Sequence, residues 1–278
     1  MSSTASLLES LVNWSILADT TTIKSCRDSL KNDGVMLLPN FVTPIGITRL
    51  KEEILSCPHN ESVVHYTPYQ DHGDYDNYPA SHPRNYKLHS SASFVGRKSL
   101  ETAAKGQCIS MYNDERIIYF LSKVIGHKLY RSKDENGSVY SYRIASNHNP
   151  PWHFDESHYT MILYLQSSEG GGEFEYVPWC RPTRSVNDTD GHDIIKKILI
   201  EKDNNNNNDD LIQQVQPQDG MLLFFAGVHT FHRAAPIQGD TARIGLVFTF
   251  SEDEVFRNSD NVKSSNRWDP ADINQLNK

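Results

Sequence analysis

Apolar positions along the chain follow a helical spacing at first and a strand-like spacing later. Residues 6–16 predict a short amphipathic helix, and Val35 to Leu38 a buried strand that Pro39 ends. Thr43 then reads as a helix cap with Pro44 at the first helical position. Ile45, Ile47, Leu50, Ile54 and Leu55 keep a helical period over 44–56. A third helix is expected over 113–126, with Asn113 as cap, Glu115 in the first turn and Gly126 as stop. Between them, 58–100 is rich in Tyr, His, Asn, Pro and Ser and has no clear period, which predicts a lid or substrate loop.

Strand signals take over further on. KLYRS (128–132) and SVYSYRIAS (138–146) come first, followed by HYTMILYLQ (158–166). EGGGEFEYVP (169–178) is a glycine turn into a strand with alternating Phe174 and Tyr176, and MLLFFAG (221–227) and RIGLVFTF (243–250) are two more. The fold class is α+β, mainly β: a barrel or sandwich of short strands, braced on one face by the N-terminal helices. The Asn-rich segment 201–214 cannot build a core and is expected to be a surface insertion, so 1–278 reads as one domain. The tail after Asp253 is polar and is expected to pack loosely.

Composition narrows the class. Hydrophobic residues make up 37% of 278, enough for a sizeable core, and a formal charge of −8 gives no reason to expect a nucleic-acid partner. The four cysteines, Cys26, Cys57, Cys108 and Cys180, lack C-x-x-C spacing, so structural zinc is not expected. No apolar run reaches membrane-spanning length, and the start has no basic region ahead of its apolar stretch; a cytoplasmic protein is the expectation.

The chemistry gathers in two places. In WHFDESHYT, His153 and Asp155 fall on one side of an extended chain, giving two legs of a metal site. A third leg can come from His229 or His232, which follow the strand MLLFFAG. Two histidines and one carboxylate leave coordination positions open, an arrangement that suits iron(II) and oxygen chemistry. Arg243 lies on a strongly apolar strand, where a guanidinium needs an anion, and the distal carboxylate of 2-oxoglutarate is a fitting one.

Four motifs together carry a resemblance. SHPR (81–84), WHFD (152–155), LYLQSSEGGGEFEYVP (163–178) and LFFAGVHTFHRAAP (223–236) resemble the iron(II)/2-oxoglutarate-dependent oxygenases. The nearer likeness is to a subgroup acting on free amino acids and related natural-product precursors, and it spans roughly 33–255. The resemblance implies a double-stranded β-helix (jelly-roll, cupin-like) with the metal at its open end. It implies Fe(II), 2-oxoglutarate and dioxygen as cofactor and cosubstrates, with His153, Asp155 and His232 as ligands; the H-R-x-x-P context selects His232 over His229. Arg243 would bind 2-oxoglutarate and Tyr142 would assist it. Arg84, Glu156, Arg143 and Thr249 are the expected substrate residues.

The subgroup also contains radical halogenases, in which a small residue replaces the metal carboxylate and frees a site for chloride. Asp155 is present here, so a hydroxylase-type outcome is expected, with ring closure (as in kainoid synthases) or desaturation as variants. The expected partner is a small-molecule substrate, an amino acid or derivative. Three alternatives remain at this stage: a peptide or protein side-chain hydroxylase, a zinc-dependent hydrolase, and a non-enzymatic β-helix binding module.

Overall fold

The computed structural model describes residues 8–66, 82–86, 88–103, 105–181, 191–199 and 211–258. Of the helix expected over 6–16, Leu8 and Glu9 are helical, residues 6 and 7 lie outside the described residues, and the chain turns after Glu9 into a separate 3-10 turn, Trp14–Ala18. Asn13 and Thr43 use their backbone N–H groups on Phe41 and Leu11, which ties this segment to the next element rather than to itself. Helix α1, Thr20–Asp33, follows, capped by Asp19, whose side chain accepts from Thr22 N, and stopped by Gly34 at φ 74°. Strand β1 is Val35–Leu38, and helix α2 is Pro44–Ser56 with the Thr43 hydroxyl accepting from Gly46 N.

The segment 58–100 carries regular structure at both ends, contrary to the expected loop: strand β2 is Asn60–Tyr66 and β3 is Leu88–Gly96, paired antiparallel. Residues 67–81 and 87 lie outside the described residues. Three helices follow, α3 Arg97–Thr102, α4 Gln107–Tyr112 and α5 Glu115–Ile125. The cap of α5 is Asp114 rather than Asn113, because Asp114 is the residue in extended conformation and its carboxylate accepts from Arg116 N. Gly126, at φ 88°, ends α5 as expected.

The remaining strands are β4 Tyr130–Arg131, β5 Val139–Ile144, β6 Tyr159–Gln166, β7 Gly170–Gly171 and β8 Phe174–Val177. Helix α6, His192–Leu199, precedes β9 Gln213–Val215, β10 Leu222–Phe225, β11 Phe231–Ala234, β12 Ile237–Gln238 and β13 Arg243–Ser251. The Asn-rich run lies outside the described residues apart from its last few positions.

Among the described residues all strand pairs are antiparallel. The major sheet runs β1-β10-β6-β13-β5-β3-β2, with β4 also on β13; the minor pieces are β11-β8-β9 and β12-β7. They make the double-stranded β-helix that the motifs implied. Strand β13 shows how one sequence serves two layers. Ile244, Leu246, Phe248 and Phe250 enter the core shared with the helices, while Val247 on the other face enters the core between the sheets. Strand β6 divides likewise, with Met161, Leu163 and Leu165 toward the helices and Ile162 and Tyr164 between the sheets. Burial on both faces explains why these strands read as continuous apolar runs. The chain beyond Asp253 does not pack loosely through 258: Phe256 and Asn258 are both buried.

Candidate functional site

His153, Asp155 and His232 meet at the junction of the minor sheet with the chain entering β6, and their ligand atoms lie within 4.8 Å of one another. Backbone pairing makes this meeting. His153 and His232 form an antiparallel bridge with N–H···O distances of 2.9 and 3.0 Å, and Asp155 N donates to Gly227 O at 3.1 Å. Each histidine has its Nδ1 2.9 Å from the carbonyl two residues before it, Pro151 and Thr230 respectively. A carbonyl only accepts, so both rings carry a proton on Nδ1 and turn Nε2 toward the centre of the cluster. Asp155 Oδ1 sits 3.4 Å from His153 Nε2 and 3.7 Å from His232 Nε2, and its Oδ2 accepts from the Thr160 hydroxyl at 2.6 Å. One carboxylate oxygen is thereby committed to the protein and the other is turned toward the histidines.

Electrostatics favour a cation there. Burial raises the Asp155 pKa, but His232, His153 and Thr160 outweigh it and bring it to about 2. Burial, followed by the neighbouring His153, lowers His232 to about 4 against the opposing pull of Asp155. At neutral pH the cluster is therefore a carboxylate with a neutral His232, a donor set with the oxygen and nitrogen character of a non-haem iron(II) site. Phe225, ring centroid 4.6 Å from that of His232, fixes this imidazole from the side.

The cavity beside the triad is also lined by Tyr142 and Arg243. Arg243 is 3% exposed; Nη1 donates to Gly172 O at 2.5 Å, and Nη2 and Nε donate to the Tyr142 hydroxyl at 2.8 and 3.2 Å. Among the described residues no carboxylate forms an ion pair with this buried guanidinium. Burial raises the Tyr142 pKa, so the group stays a phenol; it accepts from Arg243 and keeps its own proton to donate. The Tyr164 ring packs 5.2 Å from the guanidinium, and its buried hydroxyl has no hydrogen-bond partner among the described residues. A buried cation with no ion-paired carboxylate among the described residues, a spare phenolic proton and an orphaned hydroxyl together fit the far carboxylate of 2-oxoglutarate.

The other expected residues divide. Glu156 and Thr249 are buried and line the cavity, with the Thr249 hydroxyl donating to Gly137 O at 3.1 Å. Arg143 is a correction. It pairs with Ile244 on the helix-facing side of β5, whereas the cavity takes Tyr140, Tyr142 and Ile144 from the alternate positions. Arg84 falls in a 3-10 turn, Pro83–Asn85, and its side chain lies outside the described residues. His229, the competing ligand, turns away: its Nδ1 lies 2.6 Å from Arg181 O, and its ring packs 5.9 Å from Trp179.

Several contributors carried no motif of their own. Thr160 is an ordinary strand threonine until Asp155 is folded against it. Gly227 leaves room for Asp155, because a Cβ there would lie 2.8 Å from Asp155 Cβ and Oδ2. Gly245 likewise gives its space to the Tyr142 ring, and a glycine inside so apolar a strand was the available signal of a close approach. Arg233 lines the cavity beside His232, paired with Glu175 at 2.6 Å and lying over Trp152 at 5.1 Å.

A family model described as Halogenase D matches residues 18–268. The chain belongs to that family. No curated protein sequence matches the chain. Solved structures share the fold at low identity. An oxidoreductase of the 2OG-Fe(II) oxygenase family from Burkholderia pseudomallei has 13% identity and a TM-score of 0.53, covering 85% of this chain and 93% of that one. The non-heme alpha-ketoglutarate-dependent epimerase SnoN from nogalamycin biosynthesis gives 12%, 0.56, and 84% of each chain. HygX from Streptomyces hygroscopicus, solved with nickel, 2-oxoglutarate and hygromycin B, gives 11%, 0.53, and 82% and 86%. With the donor set and the Arg243–Tyr142 pair in place, this member of the Halogenase D family is an iron(II)- and 2-oxoglutarate-dependent oxygenase, an oxidoreductase. Among the described residues no helix is long and apolar enough to cross a membrane.

Proposed function

We propose that this oxygenase oxidises an unactivated C–H bond of a small, amino-acid-like molecule, by hydroxylation or by oxidative ring closure or desaturation of a natural-product precursor, and does not halogenate. The observation that carries this reading is the Asp155 carboxylate. It stands between the two histidines with Thr160 holding its outer oxygen, so the position that a halide would need is filled by the protein.

His153, Asp155 and His232 hold the metal, and Arg243 and Tyr142 orient 2-oxoglutarate by its far carboxylate. Iron(II) with 2-oxoglutarate and dioxygen supplies the oxidising power for the C–H bond. The chain contributes geometry. The two Nδ1–H···O=C bonds keep both imidazoles aimed inward, Thr160 fixes the carboxylate, and the apolar residues around Phe174 and Phe225 exclude water. Glu156, Thr249 and Arg84 are the substrate residues of this reading; Arg143 is not. A zinc hydrolase would have no use for a buried guanidinium that forms no ion pair among the described residues, so Arg243 argues against it.

The test is an anaerobic titration of metal-free protein with iron(II) and then 2-oxoglutarate, following the visible metal-to-ligand charge-transfer band, with Asp155→Ala and Arg243→Ala alongside. The band should form in the native protein and weaken in both variants. Amino acids and their N-alkylated derivatives are then screened for succinate formation, and products are analysed for a gained oxygen or for two lost hydrogens, with chloride present. A native protein that binds iron but forms no band would overturn the assignment. A chlorinated product would overturn the outcome proposed for Asp155.

A further inference from the structure

The inward-facing positions of β13 run the length of the cavity. Arg243 stands at one end and Thr249 six residues on, roughly 20 Å at ~3.3 Å per residue. Thr249 pairs with Thr160, the residue that holds Asp155, so the metal cluster lies nearer this second end. If Arg243 takes the cosubstrate, the Thr249 end is left for the substrate. Its wall is completed by Gly137 and by Asn258 from the C-terminal segment.

Asn258 is held there by a dedicated set of contacts. Lys133 N donates to Phe256 O at 2.9 Å, and Asn258 N donates to the Asp134 carboxylate at 3.2 Å. Asp134 is itself 1% exposed and also accepts from Asn136 N at 3.0 Å and Gly137 N at 2.5 Å. One buried carboxylate thus fixes both the turn that carries Gly137 and the backbone of Asn258. Position 137 must be glycine for the side chain to lie as it does, since a Cβ there would collide with Asn258 Nδ2.

The side chain itself is uncommitted. Asn258 is 8% exposed, and among the described residues no hydrogen bond reaches its amide. An amide whose backbone is fixed and which lines a cavity with no protein hydrogen bond is free to pair with a partner that arrives there. Only a ligand with both a donor and an acceptor satisfies both halves of an amide.

We propose that Asn258 is a substrate-binding, specificity-determining residue, its amide accepting from the ammonium group and donating to the carboxylate of a small zwitterionic substrate over the metal. This rests on the amino-acid reading given above.

The test compares native enzyme with Asn258→Ala and Asn258→Asp, the latter keeping shape while removing the donor. The probes are the twenty common L-amino acids and their N-methyl derivatives, each supplied with iron(II), 2-oxoglutarate and air and scored by succinate formation. Both variants should keep the anaerobic iron–2-oxoglutarate band, and Asn258→Ala should also keep the native melting temperature, whereas the added carboxylate of Asn258→Asp should lower it. Asn258→Ala should raise the KM of the best probe about tenfold or more, and Asn258→Asp should reorder the probes toward those with extra positive charge. An unchanged KM and ranking in both variants would overturn the role of Asn258 alone. A native band with no stimulation by any probe would overturn the amino-acid class and this inference with it. A missing native band would instead strike the cofactor assignment.

Discussion

The Tyr142 hydroxyl accepts from two nitrogens of Arg243, at 2.8 and 3.2 Å, across neighbouring strands. The pair exists because Gly245, between Arg243 and Val247 on the inward face of β13, has no side chain to keep the Tyr142 ring away. Tyr142 therefore sets the direction of the guanidinium and adds a phenolic donor beside it.

Tyr142→Phe is expected to weaken 2-oxoglutarate binding by roughly 10- to 100-fold, the effect of losing a hydrogen bond to a charged group. Iron(II) affinity should be unaffected. Titration of 2-oxoglutarate into the iron-loaded protein measures both; an unchanged cosubstrate affinity would remove Tyr142 from the binding site. Gly245→Ala should produce the same loss together with a lower melting temperature, since the added methyl has to displace the Tyr142 ring.

Thr160→Val removes the donor to Asp155 Oδ2 while preserving the shape of the side chain. Metal affinity should fall by about 10- to 100-fold, the usual effect of losing a group that orients a ligand. Competition with a metal-binding dye reads this directly, and equal affinities for the two proteins would contradict it. Arg143→Ala, by contrast, alters the helix-facing side of β5 and should leave both metal and 2-oxoglutarate affinities as they are.

The metal-free protein should lose stability on acidification in two stages. His232 has a pKa of about 4 in the fold, against an ordinary value of 6.5, so between those pH values the unfolded chain binds the extra proton. Stability is then full above about pH 6.5 and declines toward pH 4. Asp155, held at about 2 from an ordinary 3.8, contributes stability above pH 3.8 that is lost as the pH falls through 2. Denaturant unfolding from pH 8 to 4 in the presence of a chelator tests the upper stage. His232→Gln should flatten it, and a curve as steep as that of the native protein would show that another group is responsible.

Phe248→Ala probes the scaffold rather than the site. This side chain is fully buried between the sheet and the helices, packed 5.2 Å from the Tyr112 ring, and its loss should cost about 3–5 kcal/mol. The same strand carries Arg243, so the melting temperature and 2-oxoglutarate affinity should both fall, as measured by thermal unfolding and by the charge-transfer band.

The sequence determined this protein's local elements and the identity of its chemistry. Thr43-Pro44 and the period behind it set α2, Gly126 sets the end of α5, and the apolar runs set β6, β10 and β13, because caps, breakers and periodicity act within a few residues. Arg243 could be picked out as a candidate because a guanidinium stands out on an apolar strand, whereas His153 and Asp155 offered only a short H-x-D motif and His232 was preferred to His229 only through the H-R-x-x-P resemblance. Helix α1 was harder to see: only Cys26 and Leu30 are fully buried in it, so its stripe is weak and tertiary packing decides it. The strand at Asn60–Tyr66 was hidden because its pairing partner, Leu88–Gly96, lies beyond a long intervening segment. What only the tertiary structure decided was which faces and which distant groups meet. Strand register put Arg143 on the wrong side and Tyr142 on the right one. The His153–His232 bridge chose between two histidines three residues apart, and folding of the C-terminal segment onto Asp134 brought Asn258 to the cavity. These are pairings between residues far apart in the chain, and their physical cause is the hydrogen-bond register of an antiparallel sheet, which no local pattern of side chains encodes.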